Sequence, residues 1–514
     1  MLLHELLRNS SHKYPEKTAI VFQKERLSYR DLDRQSDALA EHLLESGLRK
    51  GDRVALFLEN STGYVISFFA ILKAGGVVVP LNTQFVRREL ETLLNNFTPK
   101  FVITDSTHQT SFKGLIDPKN ILTHGASTHG DVPRQSEHNV ASHRGMSPDM
   151  SPNDLAMIIY TSGTTGKPKG VMLSHANLNA NASSIVEYLH LKHSDSIMVI
   201  LPFYYSYGNS LLTTHIKVGA TLVLDNRFVF PNVVLDLMEK EQVTGFAGVP
   251  SHFAILLRKS ALRKYSLTSL RYVTQAGGGM APSMIEEFTQ AVPHVKFCVM
   301  YGQTEACARL TYLNPAFLKE KLGSIGKAIP GVQITVLNEQ GEAVEEGQIG
   351  EIVAKGKNVM LGYWNSPEET KKILKKEGLW TGDLAKVDEE GFIYMVSRKK
   401  EMIKSGANRI SPLEIEDVVC RMPGVIECAA VGMPDEILGE AIKLCVVKNG
   451  VPFTENDLLL FCKKNLAAFK MPKVVEFVES LPKTSTGKIK RSELSKWGPT
   501  PLFVNKSVDK NNCV

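Results

Sequence analysis

The sequence has no run of roughly 18 uninterrupted apolar residues, the length that a membrane-spanning helix requires, so an integral membrane protein is not expected. Its start, Met-Leu-Leu-His-Glu-Leu-Leu-Arg-Asn-Ser, lacks the basic segment and long apolar core of a secretory signal. Leu2, Leu3, Leu6 and Leu7 instead suit one face of an amphipathic helix. Cysteine is sparse: Cys298, Cys307, Cys420, Cys428, Cys445, Cys462 and Cys513 form no CxxC pair. That excludes a disulfide framework and fits reduced thiols in a cytoplasmic protein. A charge excess of one sign is also missing, since 60 basic against 54 acidic residues leave a net charge of +6 dispersed along the chain. Nucleic acid is therefore not expected as a partner, while a nucleotide, CoA or an acidic carrier protein is compatible. The stretch from His124 to Pro152 is polar and poor in aliphatics, and reads as an exposed loop. Its His124, His129, His138 and His143 have no acidic or cysteine companions at metal-ligand spacing, which argues against a metal site.

What is present is enough for more than one core: 514 residues, 43% of them hydrophobic. Apolar strand-like runs alternate with helical patterns, as in Arg53-Val-Ala-Leu-Phe-Leu58 followed by the stretch from Tyr64 to Leu72. Such alternation predicts α/β layers. No internal repeat is evident. Strand-like Phe392-Ile-Tyr-Met-Val396 runs into the charged cluster Ser397 to Lys400, a candidate domain boundary, and the end from Lys496 to Val514 reads as a disordered tail.

The segment Tyr160-Thr-Ser-Gly-Thr-Thr-Gly-Lys-Pro-Lys-Gly170 follows the apolar run Leu155-Ala-Met-Ile-Ile159, a buried strand by composition. Glycines let backbone N–H groups approach an anion, the hydroxyls of Thr161, Ser162, Thr164 and Thr165 add donors, and Lys167 and Lys169 add charge. A flexible surface loop has similar composition. The P-loop pattern is not met, because only two residues separate Gly163 from Gly166 and Pro168 stands where a magnesium-binding hydroxyl belongs. A different nucleotide chemistry is indicated.

Further motifs follow in order: Leu27-Ser-Tyr-Arg-Asp-Leu32, Leu72-Lys-Ala-Gly-Gly-Val-Val-Val-Pro-Leu-Asn82, Tyr301-Gly-Gln-Thr-Glu305, Gly362-Tyr-Trp-Asn365, Trp380-Thr-Gly-Asp383, Ser397-Arg-Lys-Lys400 and Pro482-Lys-Thr-Ser-Thr-Gly-Lys488. With the glycine-rich segment they resemble, over nearly the whole chain, the adenylate-forming superfamily of acyl-CoA synthetases, luciferases and peptide-synthetase adenylation domains. The resemblance implies a large α/β N-terminal domain of several subdomains over 1–397, a small mobile α+β domain over 398–495 and a tail over 496–514. Lys400 is the expected hinge.

The same resemblance implies the roles. Thr161, Ser162, Gly163, Thr164, Thr165, Gly166, Lys167 and Lys169 hold ATP phosphates, and Gly277, Gly278, Tyr301, Gly302 and Gln303 contact the nucleotide. Thr304 touches phosphate, and Glu305 binds Mg2+. Asp383 is expected on the ribose, where a carboxylate can accept from two vicinal hydroxyls. Arg398 is expected on ribose or phosphate. Lys488 bridges the acyl carboxylate and the α-phosphate as charge builds between them. Outside these motifs such residues read as solvated surface charges. Two departures stand out: Ala276-Gly-Gly-Gly-Met280 replaces the commoner Gly-Ala-Ala-Pro, and Ser397 replaces an aspartate before the arginine.

For the acid itself, Pro202-Phe-Tyr-Tyr-Ser-Tyr-Gly208 offers no carboxylate to pair with a substrate ammonium, whose burial unpaired is costly. An uncharged acyl or aryl acid is expected, fatty or related in type. Tyr205, Tyr207, Phe246, Val249 and Gly279 are the candidate pocket residues, with Phe203, Tyr204 and Phe253 as further walls. Lys404, Gly406 and Ala407 are expected along a pantetheine channel, with CoA or the phosphopantetheine of an acyl carrier protein as acceptor. The expected activity is an ATP-dependent acid–thiol ligase that releases pyrophosphate and forms a thioester, in a monomer or homodimer. Loading of an acyl, aryl or amino acid onto a carrier is the second reading, and a non-catalytic nucleotide-binding scaffold the third. Intact Glu305, Asp383 and Lys488 argue against that last reading.

Overall fold

The computed structural model describes residues 1–124, 149–161, 168–406, 408–483 and 489–496. The chain divides into two units, Met1–Met395 and Val396–Val514. That division falls two residues before the boundary expected at 397/398.

In the first unit the short β-branched and aromatic runs become strands of two large sheets. One has nine strands among the described residues, in the order Lys327–Ala328, Thr311–Leu313, Lys296–Tyr301, Tyr272–Gln275, Gly245–Gly248, Ser196–Val199, Thr221–Leu224, Thr18–Phe22, Glu25–Ser28. Its six central strands are parallel, and antiparallel partners close both flanks. The other has seven, in the order Gly362–Tyr363, Lys169–Ser174, Leu155–Thr161, Val77–Pro80, Arg53–Phe57, Phe101–Asp105, Ile121–His124. Connecting helices are buried on the faces, as parallel sheets demand. Helix Thr62–Lys73, capped by Ser61, is buried along its whole length and shares a core with Leu56, Val78, Leu201 and Leu212. The N-terminal leucines do pack: Leu3, Leu6 and Leu7 are buried at helix Glu5–Lys13, while Leu2 is only half-buried. A smaller antiparallel sheet built on Val332–Leu337, Gly350–Gly356 and Gly378–Val387 completes this unit.

In the second unit, strands Val425–Asp435 and Gly439–Lys448 form a long antiparallel pair, with Ile403–Ser405 and Val474–Phe477 added to Gly439–Lys448. Helices Pro412–Val419 and Glu455–Asn465 cover it through Ile415, Val419, Leu458 and Cys462. The molecule is thus α/β with a smaller α+β unit.

One expectation needs correction. His124, expected in an exposed loop, instead ends strand Ile121–His124, and its ring lies where a side chain at Gly63 would stand, 2.9 Å from a Cβ there. His129, His138 and His143, and the tail from 497 onward, lie outside the described residues.

Three other histidines, His4, His175 and His215, are buried in this fold, and His252 is half-buried. His215 bonds the carbonyl of Leu211 at 2.9 Å and the hydroxyl of Tyr272 at 2.8 Å, and burial lowers its pKa from 6.5 to about 4. His252 and His175 are likewise lowered to about 4, and His4 to about 3, each chiefly by burial. A lowered folded pKa means that the unfolded chain takes up protons first. Stability is therefore intact above pH 6.5 and falls as pH drops toward about 4, by on the order of 3 kcal/mol for one such histidine. Thermal unfolding across that window should show a steep loss, and His215→Gln should flatten it; an unchanged slope would count against His215.

Candidate active site

Strands Gly245–Gly248, Tyr272–Gln275 and Lys296–Tyr301 are neighbours, and all three end on the same edge, the carboxyl edge where α/β sheets bind ligands. Beyond Tyr301 the chain turns tightly into the single 3-10 turn Thr304–Ala306. Only glycine fits at 302, because an added Cβ would stand 2.1 Å from the carbonyl oxygen of Ala308. Cys307 and Ala308 then adopt φ of 55° and 95°, a region that residues with a Cβ rarely enter. Such strain persists only where neighbours over-determine the backbone. They do so here: Asn358 Nδ2 donates to the carbonyls of Ala306 (3.2 Å) and Arg309 (2.9 Å), and Asn181 Nδ2 donates to that of Arg309 (3.1 Å).

Glu305 projects from this turn, half-buried, with Oε1 accepting the Tyr363 hydroxyl at 2.7 Å. Tyr363 lies in the two-residue strand Gly362–Tyr363, opposite Val171, and the N–H of Trp364 donates to Gly170 at 2.7 Å. Thr161 and Lys169 face each other in the ladder and mark the two ends of the glycine-rich segment. Glu305 is thus tied by one side chain to the strand that leaves that segment. Ser162, Gly163, Thr164, Thr165, Gly166 and Lys167 lie outside the described residues. Lys169 pairs with Glu369 and sits 5.1 Å from the Tyr363 ring centre. Hydrogen bonds from Lys169 and Lys372 hold the Glu369 carboxyl down at about 2.

Asp383 is delivered by a β-bulge. Pairing between Gly350–Gly356 and Gly378–Val387 slips between Glu351 and Val353, so Thr381, Gly382 and Asp383 bow out, with Gly382 at φ 75°. The N–H of Gly382 donates to Glu351 Oε1 at 2.9 Å, and the Thr381 hydroxyl to Ile352 O at 2.8 Å. The Tyr301 hydroxyl donates to Asp383 Oδ2 at 2.7 Å, so Asp383 is held against the short segment 301–305 from which Glu305 projects.

The candidate acid-binding residues separate into two groups. Tyr205 accepts from Asn82 Nδ2 at 3.1 Å, and the neighbouring Ser206 hydroxyl meets that of Thr304 at 3.2 Å. Tyr207 donates to the carbonyl of Thr274 at 3.0 Å, and burial pushes its phenol up to about 12 against the pull of Arg309. Val249 limits Gly277, where a Cβ would come within 3.0 Å, while Gly278 and Gly279 are exposed. Phe246 and Phe253, in contrast, are 1% and 0% exposed and pack with Phe288 and Phe297 in a separate core.

In the second unit, Arg398 is half-buried and Lys400 exposed. The N–H of Lys404 donates to Glu440 at 2.6 Å, and Gly406, at φ 58°, donates to Leu438 O at 2.8 Å. Ala407 and Lys488 lie outside the described residues.

Among the described residues no group of three or more His, Cys, Asp or Glu could hold a metal. The single carboxylate of Glu305 suits Mg2+, which is commonly held by one or two carboxylates together with substrate phosphates.

The sequence pattern of the AMP-binding enzyme family matches residues 7–364, and that of the AMP-binding enzyme C-terminal domain matches 414–488. The chain belongs to the AMP-binding enzyme family. A long-chain-fatty-acid–CoA ligase of Escherichia coli O6:H1 is 36% identical over 531 residues, covering 96% of this chain and 94% of its own. ATP-bound MatB from Rhodopseudomonas palustris superposes with a TM-score of 0.87 at 30% identity, covering 96% of this chain and 98% of that one. O-succinylbenzoate coenzyme A synthetase from Bacillus subtilis, solved with ATP and a magnesium ion, gives 0.83 at 29% identity over 95% and 98% of the two chains. This AMP-binding enzyme is an acyl-CoA synthetase of the adenylate-forming superfamily, with ATP, Mg2+ and CoA as its cofactor set.

Tyr363, Asn358 and Arg309 escape a reading of the sequence for site residues. Tyr363 had a signal, since it sits within the Gly362–Asn365 motif, but tyrosine at a strand end is ordinarily packing. Replacing Tyr363 by Phe leaves Glu305 Oε1 without its orienting donor. The Mg2+ concentration for half-maximal activity should rise by roughly 10-fold, as when a partner of a metal ligand is removed. A magnesium titration identical to that of the unmodified enzyme would reject this role.

Proposed function

We propose that this AMP-binding enzyme activates an uncharged carboxylic acid of fatty or related type and transfers it to CoA. The observation that carries the assignment of residues is the meeting of two carboxylates at one strained segment: Glu305 projects from it, oriented by Tyr363, and Asp383 accepts a hydrogen bond from its Tyr301. Asp383 is suited to a ribose diol and Glu305 to magnesium, and Tyr301, which holds Asp383, stands four positions before Glu305.

The acid's carboxylate attacks the α-phosphorus of ATP, pyrophosphate leaves, and acyl-AMP forms. Glu305 would hold Mg2+, which would neutralise phosphate charge. Thr161, Ser162, Gly163, Thr164, Thr165, Gly166 and Lys167 supply donors for the departing phosphates, Thr304 contacts phosphate, and Gly277, Gly278, Gly302 and Gln303 contact the nucleotide. Lys488 and Arg398 act from the second unit, Lys488 on the developing charge between carboxylate and phosphate. Movement about Lys400 then exchanges Lys488 for the Lys404, Gly406 and Ala407 segment, and the CoA thiolate attacks the acyl carbonyl as AMP departs. The long-chain acids named for the Escherichia coli relative support a fatty acid as substrate. An amino acid is disfavoured, because no carboxylate stands in the 202–208 segment while the cation of Arg309 lies 4.0 Å from the Tyr207 ring.

Pyrophosphate release measured over a carboxylic-acid panel, with and without CoA, should show acid-dependent turnover and a CoA thioester. A thioester on a phosphopantetheinylated carrier in place of CoA would favour the carrier-loading reading. Lys488→Ala should slow adenylate formation by roughly 10²–10³-fold, the loss typical of one transition-state donor. Thioester formation from supplied acyl-adenylate should survive, and equal loss of both half-reactions would overturn the role of Lys488.

A further inference from the structure

The residues that flank Lys488 on both sides are fixed to the core of the second unit. Lys483 and Ile489 pair as an antiparallel bridge, the N–H of Lys490 donates to Pro482 O at 2.8 Å, and Leu481 and Leu494 share a core with Ala429, Val431 and Cys445. Three residues beyond Lys488 stands Arg491, its side chain 14% exposed. Its Nη1 and Nη2 both donate to the carboxylate of Glu416, Nη2 to Oε2 at 2.8 Å, and Nη1 donates also to the carbonyl of Ala430 at 2.9 Å. Its Nε lies 3.2 Å from Oε2 of Glu401, the residue directly after the expected hinge Lys400. Glu416, 8% exposed on helix Pro412–Val419, is itself held by the N–H of Ala430, which donates to Oε1 at 2.7 Å. One guanidinium thus joins the chain after Lys488 to a helix, a strand and the turn that follows the hinge.

A buried ion pair contributes little net stability over apolar groups of the same volume, because both ions must leave water. What a planar fork against a carboxylate does fix is direction, since two parallel hydrogen bonds admit one arrangement. Direction matters for Lys488: a displacement of about 1 Å at a reacting group costs roughly 10²-fold in rate. Resting on the ligase reading and on the role it gives Lys488, we propose that Glu416 and Glu401, acting through Arg491, are positioning residues for adenylate formation. Neither touches substrate in this role. The segment assigned to thiol transfer hangs on other contacts, the N–H of Lys404 to Glu440 and that of Gly406 to Leu438 O, so loss of the Arg491 fork is confined to the first half-reaction.

The test measures both half-reactions on the full-length enzyme: pyrophosphate release from acid and ATP, and thioester formation from supplied acyl-adenylate and CoA. Glu416→Gln should slow the first by roughly 10–100-fold, in kcat rather than in KM for ATP, and leave the second near that of the unmodified enzyme. Arg491→Lys, which keeps the charge and loses the fork, should show a smaller loss with the same selectivity. The double variant Glu416→Met/Arg491→Met leaves neither partner unpaired, so it decides the matter where a single variant fails to fold, and the same selective loss is expected. Equal loss of both half-reactions in the double variant, or loss of neither, would overturn the positioning role. Lys488→Ala sets the reference: if it slows both half-reactions equally, the role of Lys488 falls and this proposal with it. No pyrophosphate from the unmodified enzyme with any acid would instead overturn the ligase reading itself.

Discussion

The approach of Gly302 to the Ala308 carbonyl is the constraint on which the candidate site depends. No side chain larger than hydrogen fits at 302, and the return of the chain through two left-handed residues puts Tyr301, Thr304, Glu305 and Arg309 on one compact turn. Backbone strain of this kind has to be offset by surrounding contacts. Two buried asparagines, Asn181 and Asn358, do so with amide hydrogen bonds to carbonyls that the turn leaves outside regular pairing. A preorganised turn then needs little rearrangement to present its side chains to phosphate and metal.

The distribution of buried charge follows the same economy of partners. Asp195 is 1% exposed and meets Arg271 at 2.7 Å, and Lys73 has two aspartates. In the second unit Arg491 is held by Glu416 and by the carbonyl of Ala430. These pairs satisfy the rule that a buried ion needs a counter-ion or full hydrogen bonding. Arg309 departs from it, with neutral partners that include a ring, a sulfur and a carbonyl.

Much of the architecture was legible. The apolar run 155–159 is the core of strand Leu155–Thr161, the run beginning at Arg53 is a strand, and the helix around Tyr64 to Leu72 forms as expected. These elements follow from local periodicity. His124 was misplaced because the last residue of a strand looks like the first of a polar loop, and only the packing of its ring at Gly63 separates them. The aromatic residues of the candidate pocket show the same limit: Tyr207, on helix Ser206–Val218, stacks on Arg309, whereas Phe246, on a strand, sits in another core, and aromatic composition alone cannot tell one wall from the other.

By itself the sequence determined the family, the order of the motifs and the residue types available for phosphate, ribose and metal, because these depend on chemistry carried within short segments. Tertiary structure alone decided that Tyr363 orients Glu305, that Tyr301 reaches Asp383 across 82 positions, and that Arg309 lies over the ring of Tyr207. Such pairings join strands distant in the chain, and their geometry is set by sheet register, a bulge and a forced glycine. None of these leaves a local periodicity to read.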